Sequence, residues 1–451
     1  MDPGHLHRLQ AAEALANAGR LAEAEADCRA ILDAALDMPE ARALLGIIVA
    51  RQQRFEEALD LLEGAILARG DVPQWHHELA GAHRRAFQPD PALAAARRAV
   101  ALDPRNPRYL KGLAQVHVEL GESGLARECL LGALAIAPDD FDTHLALADA
   151  LLLDGEYLPG WAEYEWRLRS PLHREWSPPM RRPAWNGMRL PGKRLLLAAD
   201  QGYGDAFQFA RYVPMAAERC AEVILLCRPA QAPLFARLDG VGACVTDVAD
   251  VGDHAAYAFL GSLPFVFGTE LATIPAQVPY IVPDPARRRA WRDRLAPLGP
   301  ATRVGLAWAG NPDNTTDWRR SIGLDRLLVL RGVADVRFVS LQTPVPEADR
   351  AAMAALEVED LSAELTDFGE TAAVLANLDL LLTVDSAVGH LAGAMGVPAW
   401  LLLYHPADWR WLPGRDDSPW YPSTRLFRQP RAGDWDTPIQ RLLEAWERFV
   451  R

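Results

Sequence analysis

Residues 379–403 read DLLLTVDSAVGHLAGAMGVPAWLLL. Two short apolar runs, 380–383 and 399–403, flank a stretch of mostly small residues that opens at Asp385-Ser386. Apolar runs of that length are buried strands and the stretch between them is a helix, so the segment predicts strand, helix, strand. Small side chains let such a helix lie close to a sheet. A membrane span is the wrong reading, because Asp379, Asp385 and His390 would sit in hydrocarbon. The unpaired amides of the helix's first turn, with the macrodipole, form an anion site. A diphosphate fits there without a lysine or a metal.

The same alternation continues on both sides. Strands are predicted at 194–199, 223–227, 244–246, 258–260, 304–309 and 336–341, besides the two above. Helices begin near Asp205, Ala232, Ala286, Leu324, Glu370, Val388 and Pro438. Such alternation implies parallel sheets with helices on both faces. The stretch is too long for one doubly wound domain, so two lobes are expected, 193–299 and 300–451. The helix at 286–298, between Pro283, Pro285, Pro297 and Pro300, is the expected connector, and a last helix at 437–450 crosses back. Ligands then bind between the lobes, at the carboxyl ends of the strands.

Upstream, residues 171–192 contain Pro171, Pro178, Pro179, Pro183 and Pro191, which marks a semi-rigid linker. Before it the chain repeats. Ala24, Ala58, Ala92 and Ala126 are evenly spaced, as are Ile31, Ala65, Ala99 and Ala133, and Gly19, Gly121 and Gly155 keep the same register with Gln53 and Phe87 between them. The period, 34 residues as from Ala24 to Ala58, holds two antiparallel helices that meet at the small side chains. Pro104 and Pro138 end the second helix of their units. Five units fill residues 1–170. The fifth has Gly160 for the alanine, then Trp161, Tyr164 and Trp166, as a capping unit packed on the next domain would.

The 451 residues carry a formal charge of −13. This argues against a nucleic-acid binder or a protein held on anionic membrane. Most of the acid excess falls in residues 1–170, with 17 Lys/Arg against 27 Asp/Glu. It favours a basic or neutral partner, or is simply a solvated face. The cysteines, Cys28, Cys129, Cys220, Cys227 and Cys244, form neither a CxxC pair nor a disulfide framework. With no apolar leader in residues 1–20, a cytoplasmic protein is expected.

A second motif follows the strand at 194–199: Asp200-Gln201-Gly202-Tyr203-Gly204-Asp205. Gly202 and Gly204 permit a tight strand-to-helix turn and close approach of a ligand. Asp205 opens the next helix, either as a cap or as a carboxylate aimed into the cleft. Asp385 and Ser386 are likewise caps or ligands, and His390 a core histidine or a ligand. In the polar loop after 304–310, Asn311, Arg319, Arg320 and Ser321 are placed to meet phosphates, or are solvated. Gln342 ends a strand where a nucleotide base would lie. Trp409, Trp411, Trp420 and Tyr421 either pack on sugars or clasp the lobes together.

The pair DQGYGDAFQFARY and DLLLTVDSAVGHLAGAMGVPAWLLL resembles the heptosyltransferase-like branch of the GT-B glycosyltransferases, particularly bacterial members in which tetratricopeptide (TPR) repeats precede the transferase. One repeat, with Leu113-Ala114, Gly121, Ala126, Ala133 and Pro138, is similar to the TPR pattern. The resemblance implies a fold of class α plus α/β, a TPR solenoid followed by a two-lobed, twin Rossmann-like GT-B domain. It implies that Asp205 is the general base, with Asp200 the next candidate. It implies that the helix start at Asp385, Ser386, Ala387 and His390 holds the donor diphosphate. Ala387 stands where heptosyltransferases often have glycine, and Asp200 where relatives often have glutamate.

The expected activity is therefore an inverting, metal-independent glycosyl transfer from a nucleotide sugar, with no cofactor, to a protein or peptide acceptor recruited by the TPR face. Two other readings remain open. A non-catalytic TPR scaffold would have lost Asp205 or the anion-site helix. A sugar-nucleotide epimerase would need a different carboxylate set and has no evident use for five repeats.

Overall fold

The computed structural model describes residues 3–35, 37–171, 173, 180–312, 314, 317–333 and 335–449. The chain divides into two compact units, Met1–Ala150 and Leu151–Arg451. The division falls within the helix Phe141–Leu153.

Helical hairpins build the first unit. They are α1 (Pro3–Asn17) with α2 (Leu21–Ala34), α3 (Pro39–Arg51) with α4 (Phe55–Ala68), α5 (Pro73–Arg85) with α6 (Pro89–Leu102), and α7 (Pro107–Glu119) with α8 (Ser123–Ile136). Two further helices follow along the chain, α9 (Phe141–Leu153) and α10 (Tyr157–Tyr164). Ala24, Ala58, Ala92 and Ala126 are wholly buried, and so are Ile31, Ala65, Ala99 and Ala133. The third register has its own cause. Gly19, Gln53, Phe87, Gly121 and Gly155 all adopt positive φ, at the turn between two successive helices. Glycine enters that conformation freely, whereas Gln53 and Phe87 hold it at a cost of about 1 kcal/mol. Gly160 is obligatory in its setting, because a Cβ there would lie 2.7 Å from Leu152 Cδ2.

The second unit carries two parallel sheets. The first has the order β3-β2-β1-β4, with β1 at Leu190–Ala198, β2 at Cys220–Leu226, β3 at Val241–Val245 and β4 at Ala256–Phe259. The second has the order β10-β9-β8-β5-β6-β7. Its strands are β5 (Thr302–Ala307), β6 (Val336–Ser340), β7 (Glu359–Asp360), β8 (Leu380–Val384), β9 (Ala399–Leu403) and β10 (Thr424–Arg428). β7 and β10 were not anticipated. The first is only two residues long, and the second, with its two arginines, has no continuous apolar run. The stretch at Leu324–Leu330, expected as a helix, is a 3-10 turn.

Two expectations about the connections change. The last helix, Asp436–Phe449, does not cross back: Trp446 packs on Phe338 and Trp400 in the core of the second sheet. The connector helix, Pro285–Leu295, also lies on the second lobe, where Trp291 Nε1 donates to Glu370 (2.6 Å) and Arg287 pairs with Asp367 (2.6 Å). Pro178 and Pro179 of the linker lie outside the described residues. Residues 172 and 174–177 lie outside them as well; among the described residues of the linker, Ala184 bridges to Tyr257 and Trp185 is buried.

Each sheet has one point where the chain reverses its direction of winding. In the first it lies between β1 and β4, in the second between β5 and β8. Loops diverge at such points, which is where open α/β sheets place their ligand crevices.

Candidate active site

At the first reversal point, β1 runs into Asp200-Gln201-Gly202. Gln201 has φ 66°, a strained value for a residue with a side chain. Its neighbours hold it: Tyr164 Oη donates to Gln201 Oε1 (2.6 Å), and Arg228 donates to the Gln201 carbonyl (2.7 Å). Gly202 then caps the helix Tyr203–Phe209, and Asp205, at the third helical position, reaches back to accept from the Gly202 amide (3.0 Å). The other carboxylate oxygen of Asp205 accepts from Arg410. Asp205 therefore does serve the helix start, and it also meets a guanidinium from the other lobe.

Asp200 is not disposed like a base. It is buried, paired with Arg167 (3.1 Å), and accepts from the Gly261 amide (3.0 Å). Arg167 comes from the turn that follows α10, so the chain beyond α10 braces the end of β1.

At the second reversal point, Ser386 caps the helix Ala387–Met395. Its Oγ accepts from Gly389 N (3.3 Å) and bonds Thr383 Oγ1 (3.0 Å). His390 is buried and satisfied. Its Nδ1 meets Tyr421 Oη (2.9 Å), its Nε2 lies 3.6 Å from Asp385 Oδ1, and its ring stacks on Trp411. Burial alone would raise the Asp385 carboxyl, yet the His390 ring, Trp411 and Arg320 together hold it below the usual carboxylate range.

The two helices that carry Asp205 and His390 come from different lobes, whose cleft was the expected ligand site. The two helices touch. A Cβ on Gly204 would lie 2.7 Å from His390 Cδ2 and 3.5 Å from Ala387 Cα. Gly204 thus admits a neighbouring helix, not a ligand. Gly202 has a different constraint, since a Cβ there would lie 2.9 Å from Asp205 Oδ2.

Beside this contact lies a cavity of about 440 Å³. Its floor is the ends of β5, β6 and β8: Ala307 and Ala309 to Pro312, Leu341 to Pro344, and Ser386 to Val388. Tyr203 and Ala230 from the first lobe and the 365–368 segment complete it. Among the expected donor residues, Asn311, Gln342, Ser386 and Ala387 line the cavity, whereas Asp385, His390, Arg319, Arg320 and Ser321 do not. Gln342 spends its amide on the scaffold, accepting from Trp308 N and Ala309 N (3.2 and 3.0 Å). The polar loop closes on itself: Ser321 Oγ accepts from Gly310 N (2.8 Å) and donates to Asp317 (2.5 Å), which also accepts from Arg320 (2.8 Å). Arg319 lies over Trp318. Residues 313, 315 and 316 of this loop lie outside the described residues.

The aromatic tail resolves as a clasp. Trp409, Trp411, Trp420 and Tyr421 are buried, with Trp409 and Trp420 packed on Trp161. Arg410 carries no local signal in the sequence beside its flanking tryptophans. Arg211, buried and donating to the Trp420 (2.9 Å) and Pro275 (3.2 Å) carbonyls, also gave no local signal. The five cysteines are free thiols, and among the described residues no helix is long and apolar enough to cross a membrane.

Helical hairpins ahead of two parallel sheets, with a crevice at a winding reversal, define a repeat-bearing α/β protein of Rossmann-like build. Residues 336–432 match the family model of glycosyltransferase family 9 (heptosyltransferase), and residues 9–73 and 77–141 match that of the tetratricopeptide repeat. The family 9 match includes Gln342 and the Asp385–His390 element and stops short of Asp205. Protein FlbA of Caulobacter vibrioides is 30% identical over 350 residues, covering 70% of this chain and 56% of FlbA. The chain spans little more than half the length of that curated relative. Among solved structures it is similar to a thermophilic TPR protein of Thermus thermophilus, 20% identical with a TM-score of 0.35 over 38% of this chain and 93% of that one. It is also similar to pilF of Pseudomonas aeruginosa, 18% identical with a TM-score of 0.35 over 37% of this chain and 77% of that one.

Proposed function

We propose that the protein is an inverting, metal-independent GT-B glycosyltransferase that moves a sugar from a nucleotide sugar to a protein acceptor recruited by the TPR face. One observation carries the reading. The helix start at Ser386 and Ala387 opens on the cavity, and the helix bearing Asp205 packs against that same helix. The donor's nucleotide would occupy the cavity with its diphosphate at the unpaired first-turn amides. Asp205 would take the proton of the acceptor hydroxyl as its oxygen attacks the anomeric carbon, and the nucleoside diphosphate leaves from the opposite face. With Arg320 engaged by Asp317, the charge that steadies the leaving group in this scheme is chiefly that of the amides.

A panel of UDP-, GDP-, ADP- and CMP-sugars tests the donor half. One of them should raise the melting temperature by several degrees at about 100 times its Kd. Turnover with it should survive EDTA; activity lost to EDTA and restored by magnesium or manganese would overturn the metal-independent scheme. No shift with any member would leave the reading of a TPR scaffold with a degenerate transferase. For the acceptor half, removal of residues 1–135 should abolish transfer to a protein acceptor while slow donor hydrolysis persists. Transfer at the full rate after this deletion would remove the recruiting role.

A further inference from the structure

Three consecutive residues after β9 reach three different parts of the molecule. The Trp409 ring meets Trp161 of α10 edge-on at 5.2 Å. The Arg410 guanidinium meets Asp205 of the first lobe. The Trp411 ring stacks on His390 at 5.3 Å, in the helix that borders the cavity.

Arg410 is buried, and each of its three guanidinium nitrogens has a partner. Nε donates to Gln208 Oε1 (2.7 Å), one terminal nitrogen to Asp408 (2.8 Å) and the other to Asp205, while Trp409 lies against its flat face at 4.2 Å. Asp205 is correspondingly fixed at both ends, one oxygen on Arg410 and the other on the Gly202 amide. Each carboxylate oxygen still has a second lone pair, so a carboxylate gripped in this way can accept one more hydrogen bond in a defined direction.

We propose that Arg410 is a positioning residue that aims the Asp205 carboxylate from the opposite lobe, so that the base is aligned only while the lobes are in contact. The proposal rests on the reading of Asp205 as the base. The arrangement also answers a cost that the reaction creates. When the acceptor hydroxyl gives its proton to Asp205, and its oxygen forms the new bond as the sugar–diphosphate bond breaks, Asp205 becomes neutral. A buried guanidinium would then lose its counter-charge. Asp408 remains paired with Arg410 throughout, so the charge is never left alone.

The test compares the full-length protein with Arg410→Gln, Arg410→Lys, Asp205→Asn and the Asp205→Asn/Arg410→Gln double variant. The readout is release of nucleotide from the UDP-, GDP-, ADP- or CMP-sugar that stabilises the chain most, with melting recorded for each variant. Arg410→Gln should lower kcat about 10- to 100-fold with donor KM within about 2-fold, the pattern of a lost interaction with a charged group that acts on the chemical step. Arg410→Lys keeps the charge without the fork and should recover part of the rate. Because it also spares Asp408 and Asp205 an uncompensated burial, it carries the comparison if the glutamine variant does not fold. The double variant should be no slower than Asp205→Asn alone, since a residue that acts through Asp205 has nothing left to aim. Multiplying losses in the double variant, a raised KM at unchanged kcat, or normal turnover in Arg410→Gln would each overturn the proposal. Normal turnover in Asp205→Asn is a different result: it removes the base itself, and Arg410's role with it.

Discussion

Asp205→Asn should lower kcat about 10²–10⁴-fold with donor affinity little changed, the usual weight of general-base catalysis. The substitution keeps size but not hydrogen-bonding sense. Asp205 accepts at both oxygens, from Gly202 N and from Arg410. The asparagine amide can accept at only one of these places and must turn its NH₂ toward a donor at the other. A stability loss of about 1–3 kcal/mol is therefore expected alongside the kinetic defect. Rates measured well below the melting temperature separate the two effects. His390→Ala should fail differently. It empties the space beside Gly204 and strips Asp385 of its ring partner, so donor binding and turnover should weaken together. If Asp205→Asn turns over normally, or its whole defect follows its melting curve, Asp205 is a helix cap and an ion-pair partner only.

Arg167→Ala should destabilise the second unit by about 3–5 kcal/mol, the cost of leaving one member of a buried pair alone. The Asp200 side chain is 1% exposed and the Arg167 side chain 6%, so water cannot replace the lost guanidinium. Ser262 and Glu165 would lose their contacts to Arg167 as well (2.7 and 2.5 Å). In a unit of this size that loss is a drop of about 5–15 °C in melting temperature, read by calorimetry. A second effect follows from position. Asp200 leads directly into the strained Gln201 turn and from there to Asp205, so kcat should fall in the molecules that remain folded. A melting temperature within about 2 °C of the parent would show that the pair with Arg167 contributes little to stability.

Much of the architecture was legible because it is periodic or local. The alanine registers predict the hairpins, since the two helices of a unit meet within a few dozen residues of chain. Strand and helix alternate where apolar runs alternate with amphipathic ones, and eight strands were foreseen at about their observed places. Ser386 is recognisable as a cap because a cap bonds an amide three residues on. The one register that seemed irregular, glycine giving way to Gln53 and Phe87, is a backbone conformation rather than a packing position, and no side-chain pattern reveals it.

What pairs with what was decided in three dimensions. Asp205 is readable as a helix-start carboxylate, but its partner Arg410 lies 205 residues away and only the meeting of the lobes brings them together. The same holds for Asp200 with Arg167, and for Gly204, whose missing side chain makes room for His390 rather than for a ligand. The aromatic residues of the tail could not be divided in advance between sugar-facing and core, because the same rings serve either purpose and burial alone separates them. Periodicity encodes which face of an element is apolar, and that is a property of neighbours in the chain. A charged or aromatic side chain carries no mark of its distant partner, so its role is set only when packing removes the water around it.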